Sequence, residues 1–201
     1  MANPVLVEVL RGAAVESFHR GSVAVVDADG ATVISLGDIE RPVFPRSAVK
    51  AIQALPLLES GAADAYGFGD REIALACASH SGEPEHAKLA AGMLDRAGLD
   101  RDALECGTHW PLGEAATIDL ARSGAEPLQL HNNCSGKHAG FLTTAKHLGH
   151  PTRGYRLLTH PVQQRVLGIF EQMTGLDLTE APRGLDGCGI PGIGIPLGNL
   201  A

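Results

Sequence analysis

The chain changes texture once, near Leu36, and that order limits the folds open to it. Ahead of that point lie four short β-branched runs, Val5 to Leu10, Ala14 to Phe18, Ser22 to Asp27 and Ala31 to Leu36, cut by Arg11-Gly12, Arg20-Gly21 and Ala28-Asp29-Gly30. Runs of this length broken by Gly-containing turns predict an antiparallel meander. Pro42 and Pro45 bracket an extended segment, and from Ser47 the apolar residues Val49, Ile52, Leu55 and Leu58 recur at helical spacing until Gly61. Asp70 is the expected N-cap of a short apolar segment, Ile73 to Ala78, and Pro84 opens a helix whose apolar positions end before Gly98. Further helices are expected over Glu114 to Arg122, around Ser135 to Leu148 and from His160 to Thr174, with loop and extended chain after Ala181. Strands first and helices afterwards predict an α+β domain in which helices cover one antiparallel sheet. No composition break marks a linker and no repeat recurs, so residues 1–201 read as a single domain.

Hydrophobic residues make up 44% of the chain and charged residues 19%, so burial can offset chain entropy and disorder is not expected. A net charge of −7 repels phosphate backbones and anionic lipid, and 4% aromatics leave few stacking platforms, which argues against nucleic-acid binding. The opening MANPVLVEVLRG lacks the basic and long apolar regions of a secretory signal. The stretch Gly187 to Ala201 is charge-free but too short and too rich in Gly and Pro for the ~20 apolar residues of a spanning helix, so no membrane segment is expected. Four widely spaced cysteines, Cys77, Cys106, Cys134 and Cys188, do not resemble a disulfide scaffold; a reducing, cytoplasmic setting fits them better.

Three polar clusters can carry chemistry. In Arg46-Ser47-Ala48-Val49-Lys50 a hydroxyl and an amine three residues apart share one helix face. A lysine partly desolvated there can accept the serine proton, and first-turn N–H groups can stabilise an oxyanion. Helix capping by Ser47 with a solvated Lys50 explains the same residues without catalysis. In Cys77-Ala78-Ser79-His80-Ser81-Gly82-Glu83, a second serine can orient a carboxylate or relay a proton and Glu83 can bind an α-amino group, against a plain capping turn before Pro84. The third cluster joins His131-Asn132-Asn133-Cys134-Ser135-Gly136-Lys137-His138 with Asp186-Gly187-Cys188-Gly189. Its thiols can converge on a metal with His138, at i, i+4 from Cys134, or can simply be packing cysteines. Two of only four lysines, Lys50 and Lys137, lie in these clusters, where an amine with a movable pKa serves and arginine does not. His19, His86, His109, His147, His150 and His160 read as surface or satisfied core residues. The letters Gly187-x-Gly189-x-x-Gly192 match a dinucleotide fingerprint, but Pro191 and Pro196 deny it a helix.

Taken in order, Phe44 to Lys50, Ser79 to Glu83, His131 to His138 and Asp186 to Gly189 resemble the bacterial thermolabile L-asparaginase II family, as does the opening PVLVEVLRG. The resemblance implies hydrolysis of the L-asparagine side-chain amide, hence asparagine catabolism, on a fold similar to serine β-lactamases and glutaminases. It implies Ser47 as nucleophile, Lys50 as its base and Ser79 as a second catalytic serine, with Arg46, His138 and Asp186 in the site region to position substrate or metal-bound water, beside the substrate-binding role that charge gives Glu83. It also implies one zinc ion held by Cys134, Lys137 and Cys188, selecting Lys137 where ligand chemistry alone would choose His138. Family members continue past the point matching Ala201, so a missing C-terminal part, carrying a lysine partner for Ser79 and closing strands, is expected. The edge this leaves would invite completion by another chain, a homodimer included. A penicillin-recognising acyl-serine hydrolase shares Ser-x-x-Lys but not a Ser-Asp-Asn or Lys-Thr-Gly motif here, and a catalytically silent zinc-binding fragment is the remaining alternative.

Overall fold

The computed structural model describes residues 3–201. By backbone contacts the chain divides into two compact units: residues up to Pro45 with Thr179–Pro182 and Ile193–Ala201 form one, and Arg46–Leu178 with Arg183–Gly192 form the other.

The smaller unit holds the strands of the N-terminal texture. β1 (Val5–Arg11) pairs antiparallel with β2 (Ala14–Arg20), Glu8 opposite Phe18, and β3 (Val23–Val26) pairs antiparallel with β4 (Thr32–Leu36). The turns fall at the Gly-containing breaks, as the sequence predicts. The four strands do not join into one sheet, however; each hairpin is its own two-stranded sheet, which corrects the single meander. A short β5 (Pro42–Val43) pairs with β8 (Ile195–Pro196), and α8 (Leu197–Leu200) follows. Every residue of β1, β2 and β4 is exposed, including Val7, Leu10, Phe18, Val33 and Leu36.

The larger unit is helical. A 3-10 turn at Arg46–Val49 leads into α1 (Lys50–Glu59), followed by α2 (Ala62–Ala65) and α3 (Asp70–Ala76). The N-cap of α3 is Gly69 and not Asp70, which lies one residue inside the helix; the Glu72 carboxylate reaches back to accept the Gly69 N–H at 2.9 Å and fixes the helix start there. α4 (Pro84–Arg96) begins at Pro84, whose missing N–H costs nothing in a first turn. α5 (Glu114–Ser123), α6 (Ser135–His147) and α7 (Pro161–Thr174) complete the set, and a final β6 (Arg183–Leu185) pairs with β7 (Pro191–Ile193). Among the described residues no helix is long and apolar enough to cross a membrane. The architecture is α+β with small antiparallel sheets.

The helix α6 is the centre of this unit. Residues from Cys134 to Ala145 are all buried, because α1, α2, α3, α4 and α7 pack around it. A helix enclosed on every side shows no amphipathic stripe, which is why sequence periodicity locates it only approximately. Its approach to α3 depends on Gly136: a Cβ there would stand 2.5 Å from the Leu75 carbonyl oxygen, a backbone atom that cannot swing away. Gly136→Ala is therefore expected to lower stability by about 1–3 kcal/mol through overpacking. Thermal or denaturant unfolding measures this, and an unchanged midpoint contradicts the close approach.

Candidate active site

The sequence clusters meet around the first turn of α1 and the N-terminus of α6. Ser47 sits in the exposed 3-10 turn, directly after Arg46, which at φ 54 is the one non-glycine residue with positive φ among those described. Left-handed backbone is strained for a residue that carries a Cβ. Arg46 is held there by an ion pair, its Nε 3.2 Å from Asp186 Oδ1. Asp186 itself is carried by the turn between β6 and β7, closed by Gly189 N–H to Asp186 C=O at 2.8 Å, and Gly189 supplies the positive φ of 82 that this turn requires.

Lys50 starts α1 and is only 2% exposed, so it is not the solvated lysine of the capping alternative. Its Nζ lies 2.7 Å from Ala78 O, 2.8 Å from Ser79 Oγ and 3.4 Å from Asn133 O. Ser79 Oγ is in turn 2.7 Å from Ser47 Oγ. The hydroxyl of Ser47 and the amine of Lys50 are thus joined through Ser79 and not by the direct bond that their spacing suggested. Burial lowers the Lys50 pKa, and the neighbouring Cys134 sulfur opposes that shift. Ser47 makes no side-chain cap to α1, whose N-cap is Val49.

Beside this chain of groups lie the two sulfurs. Cys134, the residue before α6, has its pKa lowered to about 5, first by the hydrogen bond from Cys188 and then by the ammonium groups of Lys137 and Lys50, against the opposing effect of burial. Cys188 is raised, chiefly because it donates that bond. The interaction between the two thus favours the negative charge on Cys134 and the proton on Cys188. Lys137 is equally buried, 2% exposed, and its Nζ lies 3.4 Å from Cys188 Sγ. All four cysteines are free. His138 is fully enclosed behind Lys137, with Nδ1 2.7 Å from the Tyr155 hydroxyl. Among the described residues no three side chains of His, Cys, Asp or Glu converge as a metal-binding group, so His138 does not join the two sulfurs as a third close donor.

A cavity of about 160 Å³ opens at this point, lined by Arg46, Ser47, Lys50, His109, Asn133, Cys134, Asp186 and Cys188 among others. Glu83 does not line it; its carboxylate lies against Gly113, and the residue instead caps α4. A larger groove of about 540 Å³ between α3 and α4 holds no nucleophile, and its charges neutralise one another, Arg71 with Glu85 and Arg96 with Glu72. Three contributors escaped the sequence reading. His109 Nε2 accepts the Asn133 N–H at 3.0 Å, while the Asn133 carbonyl accepts from both Lys50 Nζ and the His80 N–H, so His109 and Asn133 brace the amine. Tyr155 is the third. The only hint in the sequence is that Asn133 and His109 each sit beside a polar cluster or a proline-containing turn.

His80 closes the back of the site: its Nδ1 accepts the Gly82 N–H at 3.1 Å, and Nε2 lies 2.9 Å from Ser135 Oγ, which donates to Leu130 O. These partners suit a neutral ring with the proton on Nε2. Burial, then the charges of His86 and Lys50, lower its pKa to about 4. Since the unfolded value is higher, about 6.5, stability contributed by neutral His80 is complete above pH 6.5 and is lost as pH falls towards 4, by roughly 2–3 kcal/mol. His80→Gln is expected to flatten the fall in melting temperature across that window; parallel curves for the two proteins would remove His80 as its source.

With the geometry in place, comparison with protein families is decisive. The family model described as L-asparaginase II matches residues 7–201. The chain belongs to the L-asparaginase II family. A search of curated protein sequences finds no match. Membership makes an asparaginase-type amidohydrolase the class to which the site must answer.

Proposed function

We propose that the chain hydrolyses the side-chain amide of L-asparagine to L-aspartate and ammonia, with Ser47 as nucleophile, Ser79 as relay and Lys50 as base. The observation that carries this is the unbroken row Ser47 Oγ, Ser79 Oγ, Lys50 Nζ, with steps of 2.7 and 2.8 Å, ending at the 160 Å³ cavity. Lys50 Nζ donates to Ala78 O and reaches Asn133 O, and Ser79 Oγ bridges the amine to Ser47 Oγ; burial, which lowers the lysine's pKa, eases the proton loss that readies it as a base. As Ser47 Oγ bonds to the amide carbon, its proton passes to Ser79 and the Ser79 proton passes to Lys50, whose ammonium then has three acceptors. The same proton returns to the departing nitrogen as the C–N bond breaks. Water attacks the aspartyl ester through the reverse relay, and the balance is one amide and one water in, one carboxylate and one ammonium (ammonia plus the acid's proton) out.

Arg46 and Asp186, paired at the cavity mouth, suit the carboxylate and ammonium of a free amino acid. The donor set of Cys134, Cys188 and Lys137 fits a zinc ion: two sulfurs line one cavity, and the buried Lys137 amine, without a carboxylate partner among the described residues, lies 3.4 Å from one of them. A metal held by these three would supply Lewis acidity next to the reacting centre. A fold related to serine β-lactamases and glutaminases, and a reducing, cytoplasmic compartment that keeps both thiols free, complete the reading. Incubation of the reduced, zinc-supplemented chain with L-asparagine should give ammonia and aspartate in equal amounts. Release of neither overturns the proposal.

A further inference from the structure

The histidine among the residues lining the cavity has no part in the relay, yet both of its ring nitrogens are engaged. His109 Nδ1 lies 2.6 Å from Trp110 O, and Nε2 lies 3.0 Å from the Asn133 backbone nitrogen and 3.3 Å from Asn133 Oδ1. The loop that carries the ring is pinned on both sides of it. Ahead of it, Asn132 Nδ2 donates to Cys106 O at 2.9 Å and to Gly107 O at 3.2 Å. Beyond it, Gly113 N–H donates to Ser81 O at 2.8 Å, and the Thr117 hydroxyl donates to Pro111 O. His109 is thus presented to Asn133 from a fixed frame.

The partners select one tautomer. Trp110 O only accepts, so the 2.6 Å contact needs a proton on Nδ1; the Asn133 N–H only donates, so the 3.0 Å contact needs a lone pair on Nε2. A neutral imidazole with its proton on Nδ1 meets both demands. A proton on Nε2 would suit only the longest of the three contacts, the one to Oδ1, and would set N–H against N–H and a lone pair against a carbonyl. Turning the Asn133 amide over, so that its NH2 faces Nε2, removes even that conflict. The consequence lies at the carbonyl end of the same residue, where Asn133 O is 3.4 Å from Lys50 Nζ and accepts the His80 N–H at 3.2 Å.

We propose that His109 is a positioning residue: as the Nδ1–H tautomer it offers Nε2 to the Asn133 N–H and so keeps the Asn133 carbonyl in place as the third acceptor of the Lys50 amine, beside Ala78 O and Ser79 Oγ. Although it lines the cavity, it neither transfers a proton nor holds substrate. Its catalytic consequence rests on reading Lys50 as the base. A placed carbonyl matters most once the amine has become an ammonium, because hydrogen bonds to a charged group are the stronger ones. The effect therefore falls on the chemical step.

His109→Phe keeps a ring and loses the acceptor, whereas His109→Gln puts Oε1 near the place of Nε2. With L-asparagine, His109→Phe should lower kcat about 10–100-fold with KM little changed, and His109→Gln should recover most of that loss. Equal kcat in His109→Phe and the wild type overturns the proposal, as does a rise in KM at constant kcat, which would make His109 a substrate-binding group. Two magnetic-resonance readings on the reduced full chain need no substrate. With ¹⁵N-histidine, and His109→Gln identifying the ring signals, His109 should be protonated at Nδ1 alone; a proton on Nε2 overturns the proposal. With ¹³C-lysine, and Lys50→Met identifying its signal, the Lys50 Cε resonance should move in His109→Phe and stay near its wild-type position in His109→Gln. A Lys50 signal that ignores both substitutions overturns it as well. A chain that releases no ammonia but gives both expected spectra refutes the hydrolytic reading and leaves the placement of Lys50 by His109 standing.

Discussion

Lys50→Met is expected to lower the rate of ammonia release from L-asparagine by about 10²–10⁴-fold, the range that general base catalysis contributes. The methionine nearly conserves shape, and the buried charge it removes offsets the loss of Lys50's three acceptors, so the melting temperature should move little. A companion variant separates relay from direct transfer. With Ser79 between the nucleophile and the amine, Ser79→Ala should also slow turnover, by less than Lys50→Met, because a water can stand in the vacated position. Direct transfer from Ser47 to Lys50 would leave Ser79→Ala nearly as fast as the wild type. Full activity in Lys50→Met would remove the base from the mechanism, whatever the fold.

Much of this arrangement was legible because it is local. Gly-containing breaks at Gly12 and Gly30 mark the two N-terminal hairpins, Pro84 marks the start of α4, and Pro161 lies at the first position of α7. Ser47 and Lys50 stand out because their residue types are uncommon at that spacing, and Cys134 and Lys137 because lysine is rare in this chain. What stayed hidden depends on separation along the chain. Whether two hairpins share a sheet is set by edge contacts that no alternation pattern encodes, so four strands read equally well as one meander or as separate pairs. The Lys50–Ser79 bond spans 29 residues and the Lys50–Asn133 contact 83. Neither has a local signature. His109 looks like any half-exposed histidine until the Asn133 backbone is placed on its Nε2. Glu83 is the reverse case: its charge invites a binding role, and the structure places it ahead of Pro84 as the N-cap of α4, outside the lining of the cavity. Asp70 and Gly69 are both acceptable N-caps, and the choice falls to a carboxylate three residues beyond the glycine.

The two centres share one support, and this explains why so much polar material is buried in a helical unit. α6 brings Ser135, Lys137 and His138 inward along its buried length, and Cys134, the residue before it, lines one cavity together with Lys50 and Cys188. Buried lysines without carboxylate partners are costly unless another anion or a set of carbonyls takes their place. Here Lys50 has two carbonyls and a hydroxyl, and Lys137 has sulfur. A change that loosens α6, such as Gly136→Ala, should therefore disturb the surroundings of both lysines together.

Ser47→Ala carries the largest expected effect: loss of ammonia release by roughly 10⁴–10⁶-fold, as for other nucleophile removals, leaving only what binding and orientation supply. Ser47 is exposed and makes no cap to α1, so the substitution should leave the melting temperature unchanged and the loss assignable to chemistry. An independent readout follows from the covalent step. Acid quenching during turnover should trap an aspartyl group on the wild-type chain, visible as a mass increase localised to the peptide containing Ser47, and absent in Ser47→Ala. Lys50→Met slows both acylation and deacylation, so its adduct should build up slowly and persist. If Ser47→Ala and the wild type release ammonia at equal rates, water or another side chain attacks the amide, and the row from Ser47 to Lys50 would be a structural feature of the α1 turn alone.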